Sequence, residues 1–417
     1  MSPRRQDPPT GSRSDRPVPA CRGDFPQLTT PDPTLPRAPI YLDSAATSLK
    51  PQVVIDALSN HYQRNVAGVH RAVHEPGERA TQAFEAARAR VARFIGAAEN
   101  EIAFTRSATE SLNLLARSLT PRGVVAVPVS EHHANWLPWN VVQGASLALR
   151  LTADGNLDLP AAGAAIRSTR PIAITVSAVN NVTGLHAPLD ELRALAREVG
   201  AWLIVDLSQA VGHEPIDVGA LACDAAAFSA HKMFGPEGVG VLFARAQLTR
   251  ELAPLLLGGS MVRSVRIDGF EALPFPHNLE AGSPNVAGAV GLAAACDYLD
   301  SIGVDRIRAH TATLAARLAQ GLAAIDGIAL TRGAPRNPSA NFGSIVSFHH
   351  RDLDAHTIAR VLSSRFQICV RSGYHCAQPL HEACGWPETV RASLHAYNTA
   401  DEVDAMIDAV GQICRLT

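Results

Sequence analysis

From about residue 40 onward, short apolar runs alternate with amphipathic stretches. The apolar runs include IYLD, EIAFT, GVVAVPV, SLALRLT, IAITVSAV, AWLIVDLS, AAAFSA and VGVLFAR. Between them, GERATQAFEAARARVARFIG places Ala80, Phe84, Ala87 and Val91 at helical spacing, and Gly96 follows its end. Continuous apolar strands separated by amphipathic helices are typical of a mostly parallel sheet with helices on both faces. The pattern therefore predicts an α/β fold.

The pattern changes at both ends of the chain. After residue 300 it predicts a long helix, the weaker strands GSIVSFHH and ICVRSG, and a last helix, which together indicate a smaller α+β domain. Residues 1–39 hold ten of the 28 prolines and few large apolar residues, as extended segments do. After this segment and the short run IYLD, PQVVIDALSNHYQ predicts a helix with Pro51 at its first position.

Composition excludes several classes of protein. The formal net charge is -2, so we expect no nucleic-acid partner, and no apolar run reaches the length of a membrane span. The N-terminus has arginines but no apolar core of a secretory signal. Seven cysteines without CxxC or Cys/His spacing predict no metal site and favour a reducing, cytoplasmic compartment.

The chain contains only two lysines, Lys50 and Lys232, among 37 basic Lys and Arg residues. Arginine cannot lose its proton at neutral pH, whereas a lysine amine can form a Schiff base. Lys232 lies in FSAHKMFGP, directly after a predicted strand, and is the candidate nucleophilic amine. Biased composition alone would also leave a few lysines at arbitrary positions.

Several further side chains stand where a cofactor could bind. Ser107 and Glu110 form an S-x-x-E capping box, which places Thr109 in a first helical turn, where free N–H groups attract anions. An ordinary capped helix gives the same motif. His132 in EHHANWLPW could stack on a flat ring, although a structural histidine is the commoner case, and its neighbour His133 makes a poor metal pair with it.

The ends of two later strands carry further candidates. Asp206, at the end of AWLIVDLS, and Gln209 lie where ligands bind in open α/β sheets. A strand-end aspartate that only caps a turn is the alternative. Ser229 and His231 precede Lys232. Pyridoxal 5'-phosphate (PLP) requires hydrogen-bond donors for its phosphate, a side chain that covers its ring, an acid for its ring nitrogen and an amine for its aldehyde. The candidates above offer these groups in chain order.

The chain resembles the class V aminotransferase family of fold type I PLP enzymes, and within it the SufS-type, group II cysteine desulfurases. The matching stretches run from about Cys21 to the C-terminus: YLDSAATSLKP, VHRAVH, TRSATESLNLLA, EHHANWLPW, VDLSQAVGHEPIDV, FSAHKMFGPEGVGVL, GGSMV, NLEAGSPNVAG, VRSGYHCAQPL and VRASLHAYNT. The resemblance implies a large PLP domain with a mostly parallel seven-stranded sheet and a smaller C-terminal domain. We therefore expect a disordered extension over 1–20, a segment packing with the small domain over 21–50, the large domain over 51–300 and the small domain over 301–417.

The resemblance also implies roles for individual residues. Lys232 would form the Schiff base, and His132 would stack on the cofactor ring and move protons. Asp206 would pair with the pyridine nitrogen and Gln209 with the phenolic oxygen. The phosphate would be held by Thr109, Ser229 and His231, and from the second subunit of a homodimer by Gly282 and Ser283. Asn181, Arg371 and Arg391 are the candidate substrate ligands, with Arg391 as the carboxylate clamp.

Cys376 is the candidate thiol nucleophile. It lies in VRSGYHCAQPL beside Arg371 and His375, and a partly exposed cysteine near positive charge can ionise at neutral pH. The alternative, an inert apolar cysteine, is how we interpret Cys296. The implied reaction converts L-cysteine to L-alanine, with the sulfur captured as a persulfide on Cys376 and passed to an acceptor protein.

Other functions remain open from the sequence. They are selenocysteine lyase, another C–S lyase, an epimerase and an aminotransferase. Outside enzymes, a PLP-binding regulator would need an added DNA-binding domain, which 39 proline-rich residues cannot form, and an inactive partner subunit would be expected to lose Lys232, Cys376 or Arg391, all of which are present. Departures from the family pattern are Leu207, which we expect to crowd the site slightly, Tyr374 and Ala108. Cys369 and Cys384 match no family motif. His356 aligns with a histidine of relatives that pass sulfur to a zinc-containing, scaffold-like acceptor, but a solvent-exposed helix histidine is an equal interpretation.

Overall fold

The structure is a computed structural model that describes residues 17–30, 38–141, 146–332 and 343–415 of the 417. Residues 1–16, most of the predicted disordered extension, lie outside the described residues. A 3-10 helix, Val18–Asp24, starts inside the predicted extension, and the Val18 side chain is buried in the core. Among the described residues, Val18 is thus the first whose side chain packs in the core.

The described residues contain fifteen strands: β1 Ile40–Tyr41, β2 Ile102–Thr105, β3 Val125–Pro128, β4 Ser146–Leu149, β5 Ala173–Ser177, β6 Trp202–Asp206, β7 Ala225–Ser229, β8 Gly240–Ala244, β9 Val262–Arg266, β10 Gly269–Ala272, β11 Ile328–Leu330, β12 Ile345–His350, β13 Ile368–Cys369, β14 Arg371–Gly373 and β15 Thr389–Ser393.

The same part of the chain contains fourteen α-helices: α1 Pro26–Thr29, α2 Gln52–Arg64, α3 Glu75–Phe94, α4 Ala108–Leu119, α5 His133–Val141, α6 Leu159–Thr169, α7 Leu189–Val199, α8 Val218–Leu221, α9 Ala246–Thr249, α10 Val286–Ile302, α11 Val304–Ala323, α12 Ala355–Phe366, α13 Gln378–Cys384 and α14 Ala400–Cys414. Pro51 is the N-cap of α2, so the prediction that it is the first helical residue was wrong by one position.

Seven strands form the large sheet, in the order β2-β8-β7-β6-β5-β3-β4. The run from β4 to β7 is parallel, while β8 is antiparallel to both of its neighbours. This confirms the predicted α/β fold with a mostly parallel seven-stranded sheet. Parallel strands end at one edge, so β5, β6 and β7 bring Ser177, Asp206 and Ser229 to the same side of the molecule.

Both faces of this sheet are buried. Along β6, Leu203 and Val205 enter one hydrophobic core, while Ile204 enters the core on the opposite face. Side chains alternate between the faces of a strand, so a strand covered on both sides must be apolar at every position. This is the physical reason for the continuous apolar runs in the sequence.

A second sheet, in the order β11-β12-β15-β14, is antiparallel throughout. It has a core of its own, to which α11, α12 and α14 contribute. The N-terminal segment 21–50 contacts both cores rather than the smaller one alone. Phe25 and Leu49 pack in the large core, whereas Leu42 packs in the small one and β1 pairs in parallel with β13.

The hairpin β9–β10 carries exposed apolar side chains at Val265, Ile267 and Phe270. Within the described ranges, no single helix has the length and apolar composition of a membrane span, and only the bent pair α10 and α11 reaches that composition when taken together.

Candidate active site

A cavity of about 400 Å³ opens beyond the carboxyl ends of β5, β6 and β7. Of the thirteen site residues expected from the sequence, eleven line it: Thr109, His132, Asn181, Asp206, Gln209, Ser229, His231, Lys232, Arg371, Cys376 and Arg391. They come from positions up to 282 residues apart, from Thr109 to Arg391. The two that lie elsewhere are Gly282 and Ser283.

Lys232 ends the short 3-10 turn Ala230–Lys232 that follows β7. Desolvation lowers the pKa of its amine to about 8, although the Asp206 carboxylate acts in the opposite direction. More of the amine is therefore unprotonated at neutral pH than in an ordinary lysine, which favours Schiff-base formation.

The other lysine, Lys50, supports the turn that carries Lys232. Its Nζ donates to the carbonyl oxygens of Ser48 at 2.6 Å and His231 at 3.1 Å, and it lies 3.5 Å from the Glu237 carboxylate. The same His231 carbonyl accepts the backbone N–H of Ser48 at 2.9 Å. Sequence reasoning gave Lys50 no role, although its rarity was a signal that could have singled it out.

Asp206 ends β6 and is 6% exposed; one carboxylate oxygen accepts the backbone N–H of Ser208 at 2.8 Å. Leu207 belongs to the hydrophobic core and does not line the cavity. The expectation that Leu207 crowds the site was therefore wrong, because neighbouring residues of an extended chain point to opposite sides. One amide hydrogen of Gln209 is used on the Ala45 carbonyl at 2.9 Å.

His132 immediately precedes α5. Its Nδ1 accepts the backbone N–H of Ala134 at 3.0 Å. Burial, followed by the charge of Lys232, lowers the pKa of His132 to about 3. The imidazole is thus neutral, with its proton on Nε2, and presents an uncharged flat ring to the cavity.

Glu131, which the sequence analysis did not identify, anchors this same segment. Its carboxyl group accepts the backbone N–H of Ser177 at 3.0 Å and the side-chain amide of Asn135 at 2.7 Å. Burial raises the pKa of Glu131 to about 7. Nothing in the stretch EHHANWLPW indicates that its glutamate is buried.

The N-terminus of α4 lies against β7 in this cavity. Ser107 is the N-cap and accepts the N–H of Glu110 at 3.4 Å, but the Glu110 carboxylate accepts from Arg106 N at 2.5 Å rather than from Ser107 N. The predicted capping box is therefore only half formed. Ala108 N donates to Ser229 Oγ at 2.9 Å, which leaves the Ser229 hydroxyl hydrogen free to donate to a ligand.

The Cys376 loop closes the cavity from the side of the small sheet. Cys376 is exposed, and it and His375 have positive φ angles of 58° and 51°. The loop is held by Asn181, whose amide donates to the His375 carbonyl at 2.7 Å, and by His133 N, which donates to the Cys376 carbonyl at 2.7 Å. Burial lowers the pKa of His375 to about 2. His375 is therefore neutral, and the expectation that it adds positive charge beside Cys376 was wrong.

Arg391 lies on β15, fully inside the cavity wall. Its Nη1 donates to the Asn181 carbonyl at 3.0 Å, and its Nη2 lies 3.4 Å from the Asp43 carboxylate. Arg371 reaches the same carboxylate at 3.0 Å. Asp43 is a third residue that sequence reasoning missed; it follows the end of β1 by two positions.

Gly282 and Ser283 lie away from this cavity within one chain. Ser283 lines a separate cavity of about 200 Å³ with Arg106 and Glu110. Gly282 has a φ of 88° and donates its N–H to the Gly259 carbonyl at 2.8 Å.

His356 is exposed on α12 beside the Cys376 loop. Its Nδ1 lies 2.8 Å from Ser372 Oγ, and its Nε2 lies 3.3 Å from the Glu388 carboxylate. Tyr374 is 37% exposed, and its ring meets His381 edge-on at 5.3 Å.

Outside the cavity, the fold brings together one trio that sequence spacing gave no reason to expect. Ligand atoms of His70, Glu85 and His277 lie within 4.8 Å of one another. Arg88 Nε already donates to the Glu85 carboxylate at 2.8 Å, so a cation of the chain itself partners the acid of this trio.

Comparison with known proteins agrees with this geometry. The Aminotransferase class-V family model matches residues 40–406. The chain is 41% identical to a probable cysteine desulfurase of Streptomyces coelicolor, over 90% of this chain and 92% of that protein. It is 37% identical to a cysteine desulfurase of Haloferax volcanii, over 94% and 96% of the two chains.

Solved structures give the same result. An apo cysteine desulfurase of Thermococcus onnurineus superposes with a TM-score of 0.89 at 35% identity, covering 97% of this chain and all of that one. An Escherichia coli cysteine desulfurase in an S-sulfonic acid form gives 0.85 at 35% identity, with 95% and 98% coverage. The family model, the relatives and the solved structures all match over nearly the whole chain. The chain therefore belongs to the class V aminotransferase family.

Proposed function

We propose that this protein is a PLP-dependent cysteine desulfurase of the SufS type. The observation that carries the proposal is that one cavity holds an amine with a depressed pKa, Lys232, and an exposed thiol, Cys376. A lysine alone would suit many PLP enzymes. An exposed thiol in the same cavity adds a second nucleophile, suited to accepting sulfur.

The residues present fit PLP. Ser229 has a hydroxyl hydrogen to spare, and with Thr109 and His231 it would hold the phosphate at the α4 N-terminus, where N–H groups favour anions. Asp206 would hold the pyridine nitrogen, Gln209 the phenolic oxygen, and the neutral ring of His132 would stack on the cofactor face. When bound, PLP supplies the electron sink for the pair left at the substrate Cα.

The chain's own groups perform the remaining work. Arg391 orients the substrate carboxylate, and the Asn181 carbonyl holds Arg391 in place. The Lys232 amine removes the Cα proton and His132 moves protons at the ring. The Cys376 sulfur attacks the substrate sulfur and the Cβ–S bond breaks, so that L-cysteine and the Cys376 thiol become L-alanine and a Cys376 persulfide.

The persulfide then needs an acceptor, for which the exposed Cys376 loop is accessible. We place the acceptor, a protein that could carry zinc, beside His356, because that imidazole is exposed next to the loop. A homodimer would bring Gly282 and Ser283 of the second subunit to the cofactor phosphate. All seven cysteines are free, in keeping with a reducing cytoplasm.

Cys376→Ser tests the function. We expect the variant to keep the cofactor absorbance of the wild type but to lose alanine and sulfide release from L-cysteine, both measured on the same sample. Cys384→Ser is the matched control, because Cys384 is a half-buried thiol near the loop that does not line the cavity.

Full desulfuration by Cys376→Ser would overturn the persulfide step. A wild-type protein that binds PLP but releases no alanine from L-cysteine would instead favour a C–S lyase, epimerase or aminotransferase. Release of alanine from selenocysteine alone would favour a selenocysteine lyase.

A further inference from the structure

Three side chains from separate segments meet beside α3, outside the lining of the active-site cavity. His70 lies in the loop before α3, Glu85 lies on α3, and His277 begins the 3-10 turn His277–Leu279. Ligand atoms of all three lie within 4.8 Å of one another. Two imidazoles and one carboxylate are a ligand set that zinc takes in proteins, whereas magnesium and calcium take oxygen ligands. We call these three residues the His70 trio.

The ring nitrogens of the His70 trio have room for a shared ion. His70 Nε2 lies 3.8 Å from one oxygen of Glu85, which is too long for a hydrogen bond. The same distance suits two ligands of one ion, because each ligand atom lies about 2.1 Å from zinc and a pair of them spans up to about 4.2 Å. The widest pair of the trio reaches this span by a small rotation of partly exposed side chains. Within the part of the chain that the structure describes, neither imidazole ring makes a hydrogen bond to the protein.

Arg88 leaves one negative charge beside the trio uncompensated. Its Nη1 and Nη2 donate to the two oxygens of Glu280 at 2.7 and 2.8 Å, and the Glu280 side chain is 6% exposed. Its Nε donates to one Glu85 oxygen at 2.8 Å, while the other oxygen, which faces His70, lies 3.4 Å from Nη2. Two carboxylates thus share one guanidinium, and the surplus negative charge favours a cation beside Glu85.

The His70 imidazole is fixed in position and uncharged. The His70 backbone has a φ of 67°, and its N–H donates to Thr81 Oγ1 at 2.8 Å. Its ring meets the His277 ring with the centroids 5.6 Å apart. Burial lowers the pKa of His70, so the ring is neutral at neutral pH and keeps a lone pair for a ligand. The three side chains are between 26% and 37% exposed, so water can reach an ion between them.

We propose that the His70 trio binds one divalent ion of the zinc class, with water completing its coordination. The ion cross-links the loop before α3, α3 itself and the turn that begins at His277. The sequence analysis expected no metal site from the spacing of the cysteines, and this site uses none of them. It lies outside the cavity lining and does not depend on the proposed function.

Zinc binding to the full-length, PLP-loaded protein tests the proposal. Calorimetric titration with zinc chloride gives the number of sites per chain and their dissociation constants. We expect His277→Gln to weaken one site by at least about a hundredfold, because the loss of even a second-shell partner costs about tenfold to a hundredfold.

His186→Gln is the matched control. His186 Nε2 lies 2.9 Å from the Glu214 carboxylate, so this variant also removes a partly exposed imidazole beside an acid. The described residues offer no third ligand at that pair, and the variant should bind zinc as the wild type does.

His70→Asn removes another ligand of the trio and keeps the left-handed backbone, which asparagine tolerates. It should lose the same site as His277→Gln, which keeps the test valid if one variant loosens its own segment. Zinc should raise the unfolding temperature of the wild-type protein, because an ion that binds only the folded state stabilises it. Both variants should lose this rise.

The exposed Cys376 thiol is the competing zinc ligand. X-ray absorption at the zinc edge distinguishes the two sites, because it separates sulfur from nitrogen and oxygen ligands. Nitrogen and oxygen ligands that disappear in His277→Gln would support the proposal. Sulfur ligands alone, or wild-type zinc affinity in both His277→Gln and His70→Asn, would overturn it.

Discussion

The two walls of the cavity are built differently. The wall from the large sheet presents Asp206 and Ser229 at the ends of buried parallel strands, and Lys232 in the turn after β7, where neighbouring strands fix the backbone. The wall from the small sheet presents Cys376 on an exposed loop with positive φ angles, held by a few side-chain and backbone hydrogen bonds. The first wall is buried, and the second presents an exposed thiol.

This difference corresponds to two tasks of the proposed reaction. Holding a cofactor and an amine with a lowered pKa needs burial and fixed geometry, as electrostatic preorganisation generally does. Passing sulfur to another protein needs a nucleophile that the partner protein can reach from outside the cavity. Substitutions of the reacting residues on the large-sheet wall should therefore abolish the reaction. Substitutions of residues that only support this wall, such as Lys50, should have smaller effects.

The largest expected effect separates the two lysines. Lys232→Arg keeps the charge but removes the amine that can lose a proton, so we expect kcat to fall by at least about a thousandfold, or about 4 kcal/mol in the activation barrier. Steady-state alanine release measures it.

Lys50→Arg is the matched control, because it makes the same exchange at the chain's only other lysine. The guanidinium can still donate to the Ser48 and His231 carbonyls, so this variant should retain most of its activity. Comparable losses in both variants would reject Lys232 as the reacting amine.

A smaller effect is expected where Lys50 supports the Lys232 turn. Lys50→Met removes the donor to the His231 and Ser48 carbonyls, and we expect the free energy of unfolding to fall by about 1–3 kcal/mol. Denaturant unfolding measures this change.

The Lys50→Arg variant should recover most of that stability, since it restores a donor to the same carbonyls. If Lys50→Met unfolds at the wild-type denaturant concentration, the hydrogen bonds of Lys50 do not support the turn.

The sequence predicted the large-sheet wall better than the small-sheet wall. Asp206, Ser229 and Lys232 follow continuous apolar strands, and parallel strands end at one edge, so sequence order almost determines their proximity. Asp43 and Arg371 are 328 residues apart and meet through a bridge between a short strand and the small sheet. No local periodicity records such a contact.

The errors have the same origin. His375 carries a basic side chain in the sequence, but packing against Thr389 removes it from water and keeps it neutral. Leu207 follows a site residue, but the extended backbone turns it into the core. Whether a side chain is charged, or crowds a site, depends on how it packs in the folded structure. The sequence shows only which residues could do so.

The smallest expected effect concerns the acid stability of the small-sheet wall. Burial lowers the pKa of His375 to about 2, far below the value of about 6.5 in an unfolded chain. Between these values the unfolded state binds a proton that the folded state does not, so stability is present above about pH 6.5 and is lost as the pH falls. From pH 7 to pH 6, His375 should contribute a loss of about 0.7 kcal/mol in the free energy of unfolding. His375→Gln, which keeps a donor for Thr389, should reduce the pH dependence over this interval by that amount, measured by denaturant unfolding at each pH. An unchanged slope in the variant would show that His375 takes up its proton over the same pH range in the folded and the unfolded state, and would reject the lowered pKa.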